Sequence, residues 1–105
     1  TAQLHALRGP GAARRQVTFY SEPVAAVRAC PDARRGLVTF LKDVGGDEAY
    51  QIWAMHVESA RTWRLTDGSS RNGGARWANA GDRIAYFSTR RTGRVWDLYV
   101  QGVGE

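Results

Sequence analysis

The side chains of this 105-residue chain that are able to do chemistry are few, and their spacing serves none of the usual reactions. A serine nucleophile needs Gly-x-Ser-x-Gly on a sharp strand-to-helix turn, and no such pentapeptide occurs. Ser69 and Ser70 follow Gly68 but run into Arg71 and Asn72, which reads as an ordinary polar loop. The two histidines, His5 and His56, fall on equivalent or neighbouring strand positions of successive units, so they are not expected to converge on one metal or one nucleophile. Asp43, Asp47 and Glu48 are the densest acidic group. They lack the alternate spacing and distal Glu of a calcium loop, and read as a hairpin capped by its own carboxylates. Gly9 and Gly11 do not extend to a dinucleotide fingerprint, because Arg14 stands where the third glycine belongs. Cys30, alone in the chain, has no internal disulfide partner and is expected as a buried thiol. No catalytic residue, metal ligand or cofactor-binding residue is therefore expected here.

The charge balance raises a different possibility. Fourteen arginines and Lys42 outweigh ten acids, giving a net charge of +5, and a basic chain invites an anionic partner such as nucleic acid. The arginines are scattered in ones and twos rather than massed, which suits a solvated surface, so no nucleic-acid partner is expected. Trp53, Trp63, Trp77 and Trp96 recur at strand positions and are expected as wedges between sheets rather than as a stacking platform for bases or sugars. No apolar run approaches the roughly 18 residues of a membrane span, and the first residues lack the pattern of a signal peptide, so no membrane partner is expected. If Thr1 is an internal cut, any targeting segment is lost with the preceding sequence, and localisation stays open between cytoplasm and periplasm.

What would position these residues is a set of short strands. Helical periodicity is not sustained after the first dozen residues. β-Favouring runs cover 17–20, 24–29, 36–41, 50–57, 63–66, 75–78, 83–88 and 96–100, each bounded by Gly, Pro, Asp, Asn or Ser. The glycine pair within 43–47 and Thr92-Gly93 within 91–94 predict hairpins. Residues 68–74, GSSRNGG, read as too polar and flexible for a sheet.

Laid on itself with a shift of 48 residues, falling to 46 after a short deletion, the chain repeats. Gln3-Leu4-His5-Ala6 falls on Gln51-Ile52-Trp53-Ala54, the Val17-Thr18 pair on Leu65-Thr66, and Ile52-Trp53-Ala54 on Leu98-Tyr99-Val100. A period of about 40–50 residues with about four short strands is the signature of a propeller blade. The expected fold is all-β: about two four-stranded antiparallel blades, a fragment of a larger β-propeller. Residues 1–20 would end one blade, 24–67 form a complete blade, and 75–105 form most of the next. In such a stack both sheet faces are buried, which suits the apolar runs 37–41 and 84–87.

Three stretches, KDVGGDEAYQ at 42–51, WRLTDGSSRNGG at 63–74 and IAYFSTRRTGRVWDLYV at 84–100, resemble propeller repeats of the prolyl oligopeptidase family of serine peptidases, in its dipeptidyl- and acylaminoacyl-peptidase branch. The turn that usually reads Ser-Pro-Asp-Gly departs from that pattern, as Cys30-Pro31-Asp32-Ala33 and Ala78-Asn79-Ala80-Gly81. The resemblance implies a non-catalytic propeller that gates peptide access to a hydrolase domain absent from this chain. Its expected partners are that domain, neighbouring blades and, through the parent enzyme, peptide substrates, with self-association of the fragment to cover bare faces. The phrase running from LTDG to DLYV is also similar to periplasmic Tol-associated propellers, which implies the alternative of a non-enzymatic binder of protein partners.

Overall fold

Runs of β-branched and aromatic residues broken by glycine, proline and aspartate confine the chain to short strands joined by tight reversals. The structure, a computed structural model, describes residues 2–7, 13–16, 18 and 20–105. Among these the strands are β1 (His5–Ala6), β2 (Arg15–Gln16), β3 (Ala25–Ala29), β4 (Leu37–Lys42), β5 (Gln51–His56), β6 (Arg61–Arg64), β7 (Asn72–Trp77), β8 (Arg83–Ser88) and β9 (Asp97–Gly102). A single 3-10 turn, Ala33–Arg35, follows β3; Asp32 caps it by accepting from the Arg34 amide, and Gly36 ends it at a φ of 60°. There is no α-helix among the described residues, so the chain is all-β. Its sheets are antiparallel, in the orders β1-β2, β3-β4-β5-β6 and β7-β8-β9, and none closes on itself.

The four-stranded sheet lies between the other two, and its alternation explains why. Val38 pairs with Met55 and Phe40 with Trp53 on one face, while Leu41 pairs with Ile52 and Thr39 with Ala54 on the other. The first face, with Val24, packs against Leu4, Ala6 and Tyr20 of the N-terminal segment. The second packs against Ile84, Tyr86 and Tyr99 of the three-stranded sheet. Phe40, Ile52, Met55, Ile84 and Tyr86 are fully buried, each contributing about 1.5–3 kcal/mol of hydrophobic stabilisation.

The offsets read in the sequence recur at the level of single hydrogen bonds. Gln3 Oε1 accepts from the Thr18 hydroxyl at 2.8 Å and the Tyr20 amide at 3.1 Å, while the Leu4 amide donates to Thr18 Oγ1. Forty-eight residues on, Gln51 Oε1 accepts from the Thr66 hydroxyl at 2.5 Å and the Gly68 amide at 2.9 Å, while the Ile52 amide donates to Thr66 Oγ1. Between layers, Arg15 Nη2 donates to the Val57 carbonyl at 3.1 Å, and the Trp63 indole donates to the Val103 carbonyl at 2.9 Å. The first strand of each larger sheet also slips its register at one place, between Ala25 and Arg28 and between Gly73 and Arg76. The slip puts Ala26 and Gly74 at left-handed φ values of 51° and 69°.

Several expectations need correction. Asn72, Gly73 and Gly74 belong to β7 rather than to the preceding loop. Asn72 is buried and donates its amide to the Tyr50 carbonyl, and Gly74 supplies the positive φ that the register slip requires. The last sheet therefore starts at residue 72, and its three strands leave one face bare. On its outer side Phe87, Leu98 and Val100 are 48%, 62% and 60% exposed. β6 starts at Arg61, two residues ahead of the expected run. Of the strand expected at 17–20, Val17 and Phe19 lie outside the described residues, and Thr18 and Tyr20 are not in a strand.

Candidate functional site

Chemistry in this fold would have to come from the loops at the strand ends, and these loops spend their polar groups on one another. Ser70 is buried, and its hydroxyl donates to Asp67 Oδ1 at 2.6 Å; it also accepts from the Ser88 hydroxyl at 3.3 Å. Burial acts to raise the Asp67 carboxyl, but the Ser70 hydroxyl and the amides of Ser69 and Ser70 outweigh it, so its pKa lies below the ordinary aspartate range. A serine held by an ionised carboxylate and another serine, with no imidazole among its bonds, is not activated as a nucleophile. Ser69 is exposed.

His5 and His56 lie on different sheets, in β1 and β5. His56 Nδ1 sits 3.2 Å from the Ser59 hydroxyl and accepts from the Ser59 amide at 3.4 Å, beside an open cavity that Trp63 and Glu105 also line. The spacing His-x-x-Ser carried the signal for this pair, which a search for two converging histidines passes over. The Ser59 oxygen also accepts from the Arg61 amide, so the pair closes the turn between β5 and β6.

The acidic group forms one wall of an open cavity of about 500 Å³ lined by Glu22, Asp43, Glu48 and Tyr50. Asp43 accepts from the Glu48 amide at 3.0 Å and Asp47 from the Ala49 amide at 3.0 Å, the self-capped hairpin that the spacing suggests. Glu22 accepts from the Lys42 ammonium at 3.1 Å and the Gly45 amide at 3.3 Å. The Ser21 hydroxyl, Lys42 and the Gly45 amide together hold its pKa down at about 2. Lys42 is itself buried and faces the rings of Tyr20 and Trp53. Among the described residues no three His, Cys, Asp or Glu side chains are grouped to hold a metal. Gly9 and Gly11 lie outside the described residues.

The tryptophans divide. Trp53 packs on the first core cluster, the Trp63 indole donates across to the three-stranded sheet, and the Trp77 indole donates back to the Arg28 carbonyl of β3 at 3.1 Å. Trp96 departs from the expected wedge role: it lies 51% exposed in the loop before β9. Cys30 is buried, its thiol directed at the Gly81 carbonyl at 3.4 Å.

The arrangement is therefore one of tying and presenting. The residue that sequence reasoning missed as a functional part is Gln51, buried at the meeting of the two larger sheets. Its Nε2 donates to the Ser70 carbonyl at 2.8 Å while its Oε1 accepts from Thr66 and Gly68. The presented surface among the described residues is the face of Phe87, Leu98 and Val100. No known protein-family description matches this chain, and no curated protein matches it in sequence.

Proposed function

We propose that this chain is part of a β-propeller, and that the propeller is the non-catalytic domain of a serine peptidase of the prolyl oligopeptidase type. There it restricts the access of peptides to a hydrolase domain encoded outside this sequence. The observation that carries the reading is the recurrence of one hydrogen-bond set, built on Gln3 and Gln51, at two successive layers. Recurrence of this kind favours stacked modules over a sandwich or a barrel. The bare face suits a neighbouring module, because its equivalents on the four-stranded sheet, Leu41 and Ile52, are covered by the next sheet. The peptidase assignment rests on the resemblance over residues 42–51, 63–74 and 84–100.

The test is to treat the longest natural protein containing this sequence with a serine-directed fluorophosphonate and to assay it on fluorogenic dipeptides. One labelled serine within a Gly-x-Ser-x-Gly outside these residues is the expected result, with no turnover by the 105-residue chain alone. Absence of labelling, with further sheet repeats where the hydrolase domain should lie, refutes the peptidase and favours a propeller that binds protein partners.

A further inference from the structure

Where the chain passes from the four-stranded to the three-stranded sheet, the loop at residues 67–71 lies against the hairpin that opens at Thr89, and the two line an open cavity of about 210 Å³. Its walls are tied together. The Arg71 amide donates to Thr89 Oγ1 and the Thr89 amide to the Arg71 carbonyl, both at 3.0 Å. The cavity belongs to the covered side of the three-stranded sheet, between two layers that are both described. Arg90, on its wall, lies with its guanidinium 3.7 Å from the centre of the Tyr99 ring, and Tyr99 pairs with Tyr86, which packs in the core shared with Ile52. Arg90 Nη1 also donates to the Tyr86 hydroxyl at 3.4 Å.

These walls hold donors that the fold does not use. Among the described residues neither Arg71 nor Arg90 makes an ion pair with a carboxylate. Thr89 is only 2% exposed, and its oxygen accepts from the Arg71 amide, while its own proton finds no acceptor among the described residues. Buried hydroxyls ordinarily donate, so one that does not marks a place for an acceptor. The repeat shows that the scaffold does not require the positive charge. Ser88 holds the place of Lys42, so Thr89 stands where Asp43 stands one layer earlier, and the shift of 48 puts Ser70 and Arg71 in the places of Glu22 and Pro23. That earlier cavity is acidic, lined by Glu22, Asp43 and Glu48.

We propose that the cavity between residues 67–71 and the Thr89 hairpin is a binding site for a single carboxylate group. Arg90 supplies the forked donor, Arg71 a second cation and Thr89 a hydroxyl. A guanidinium meets a carboxylate through two parallel N–H bonds, and stacking on Tyr99 fixes its plane while leaving its edge free. The charge of the walls selects a monoanion. Two arginines against the ionised Asp67, whose Oδ1 is taken by the Ser69 and Ser70 amides and the Ser70 hydroxyl, leave one positive charge. A phosphate dianion would place an excess negative charge beside Asp67. A small organic acid and the acidic or terminal group of a peptide both carry the required chemistry. The inference rests on these two loops and stands or falls independently of the peptidase reading.

The experiment titrates the isotope-labelled 105-residue chain with propionate, N-acetyl-alanyl-alanine, the C-terminal amide of that dipeptide and inorganic phosphate, followed by backbone amide and arginine Nε–H shifts. Both carboxylates should give saturable shifts concentrated on residues 69–71 and 89–93 and on the Arg90 Nε–H, with the amide and phosphate weaker by about tenfold or more. Equal affinity for propionate and the dipeptide assigns the site to the carboxylate alone, and tighter binding of the dipeptide assigns it to a peptide end. Arg90→Ala weakens carboxylate binding about tenfold, and Arg90→Lys, which keeps the charge without the fork, restores little of it. Asp67→Asn, whose carbonyl oxygen still accepts from Ser69 and Ser70, brings phosphate affinity up toward that of the carboxylates. Shifts that never saturate, or that spread equally over exposed arginines such as Arg34 and Arg83, report general screening and overturn the proposal. So does equal binding of the amide, or unchanged affinity in a folded Arg90→Ala.

Discussion

Replacing Gln51 with alanine removes one side chain that serves two layers at once, and its cost follows from the geometry. The carboxamide accepts from the Gly68 amide at 2.9 Å and the Thr66 hydroxyl at 2.5 Å, and donates to the Ser70 carbonyl at 2.8 Å, with only 3% of the residue exposed. Truncation removes the Gly68 amide's partner, while the Ser70 carbonyl keeps the Asn72 side-chain amide at 3.2 Å and the Thr66 hydroxyl can rotate. One backbone donor without a partner, together with the lost bonds to Thr66 and Ser70, gives a loss of about 2 kcal/mol, a sizeable share of the roughly 5–15 kcal/mol that holds a small domain folded. Gln3→Ala breaks the equivalent bonds where the side chain is only half-buried. Water replaces the lost partners there, and the expected loss is about 1 kcal/mol. Urea titration followed by tryptophan fluorescence measures both changes. If Gln51→Ala unfolds cooperatively within 0.5 kcal/mol of the parent (roughly the scatter of a neutral surface change), the carboxamide is not the tie described here.

Three further outcomes follow from particular residues. Ala26 holds a left-handed φ of 51° where the equivalent position has Gly74, so Ala26→Gly should raise stability by about 0.5–1 kcal/mol after the entropic cost of glycine is subtracted. Gly74→Ala should lower it, since the added carbon would lie 3.2 Å from the Phe87 ring; the same urea titration reads both signs, and matching signs would contradict the equivalence. The Glu22 carboxyl, held at about 2 by Ser21, Lys42 and Gly45, has a lowered folded pKa. Its contribution is complete above the unfolded value of about 4.3 and is lost as pH falls toward 2, so Glu22→Gln should flatten stability over that window in an acid titration. The exposed face of Phe87, Leu98 and Val100 should make the isolated chain associate with concentration, and the double change Leu98→Glu with Val100→Glu should restore a monomer by sedimentation.

Much of the architecture is legible in the residues. The glycine pair at Gly45-Gly46 and the Thr92-Gly93 reversal mark their hairpins, and the Gln–Thr pairs at 3 and 18 and at 51 and 66 mark the repeat before any contact is known. What stays hidden has physical causes. β1 and β2 are two residues long, too short for alternation to register. Asn72-Gly73-Gly74 has loop chemistry, and tertiary context overrides it: a buried asparagine bonds the Tyr50 carbonyl, and glycine is what the register slip demands. The function of Gln51 is invisible to propensity because a carboxamide becomes a tie only once the next sheet covers it. Trp96 looks like a strand aromatic in sequence, but it falls in the loop ahead of β9, as Tyr50 falls ahead of β5, and both are exposed.

Successive sheets stack through equivalent faces, and nuclear Overhauser contacts in the 105-residue chain test this most directly. Cross-peaks should link the Ile52 methyls with the Tyr86 ring, and Leu4 with the cluster of Phe40 and Met55. A folded chain that shows the strand pairings within each sheet but neither set of cross-peaks between sheets would contradict it.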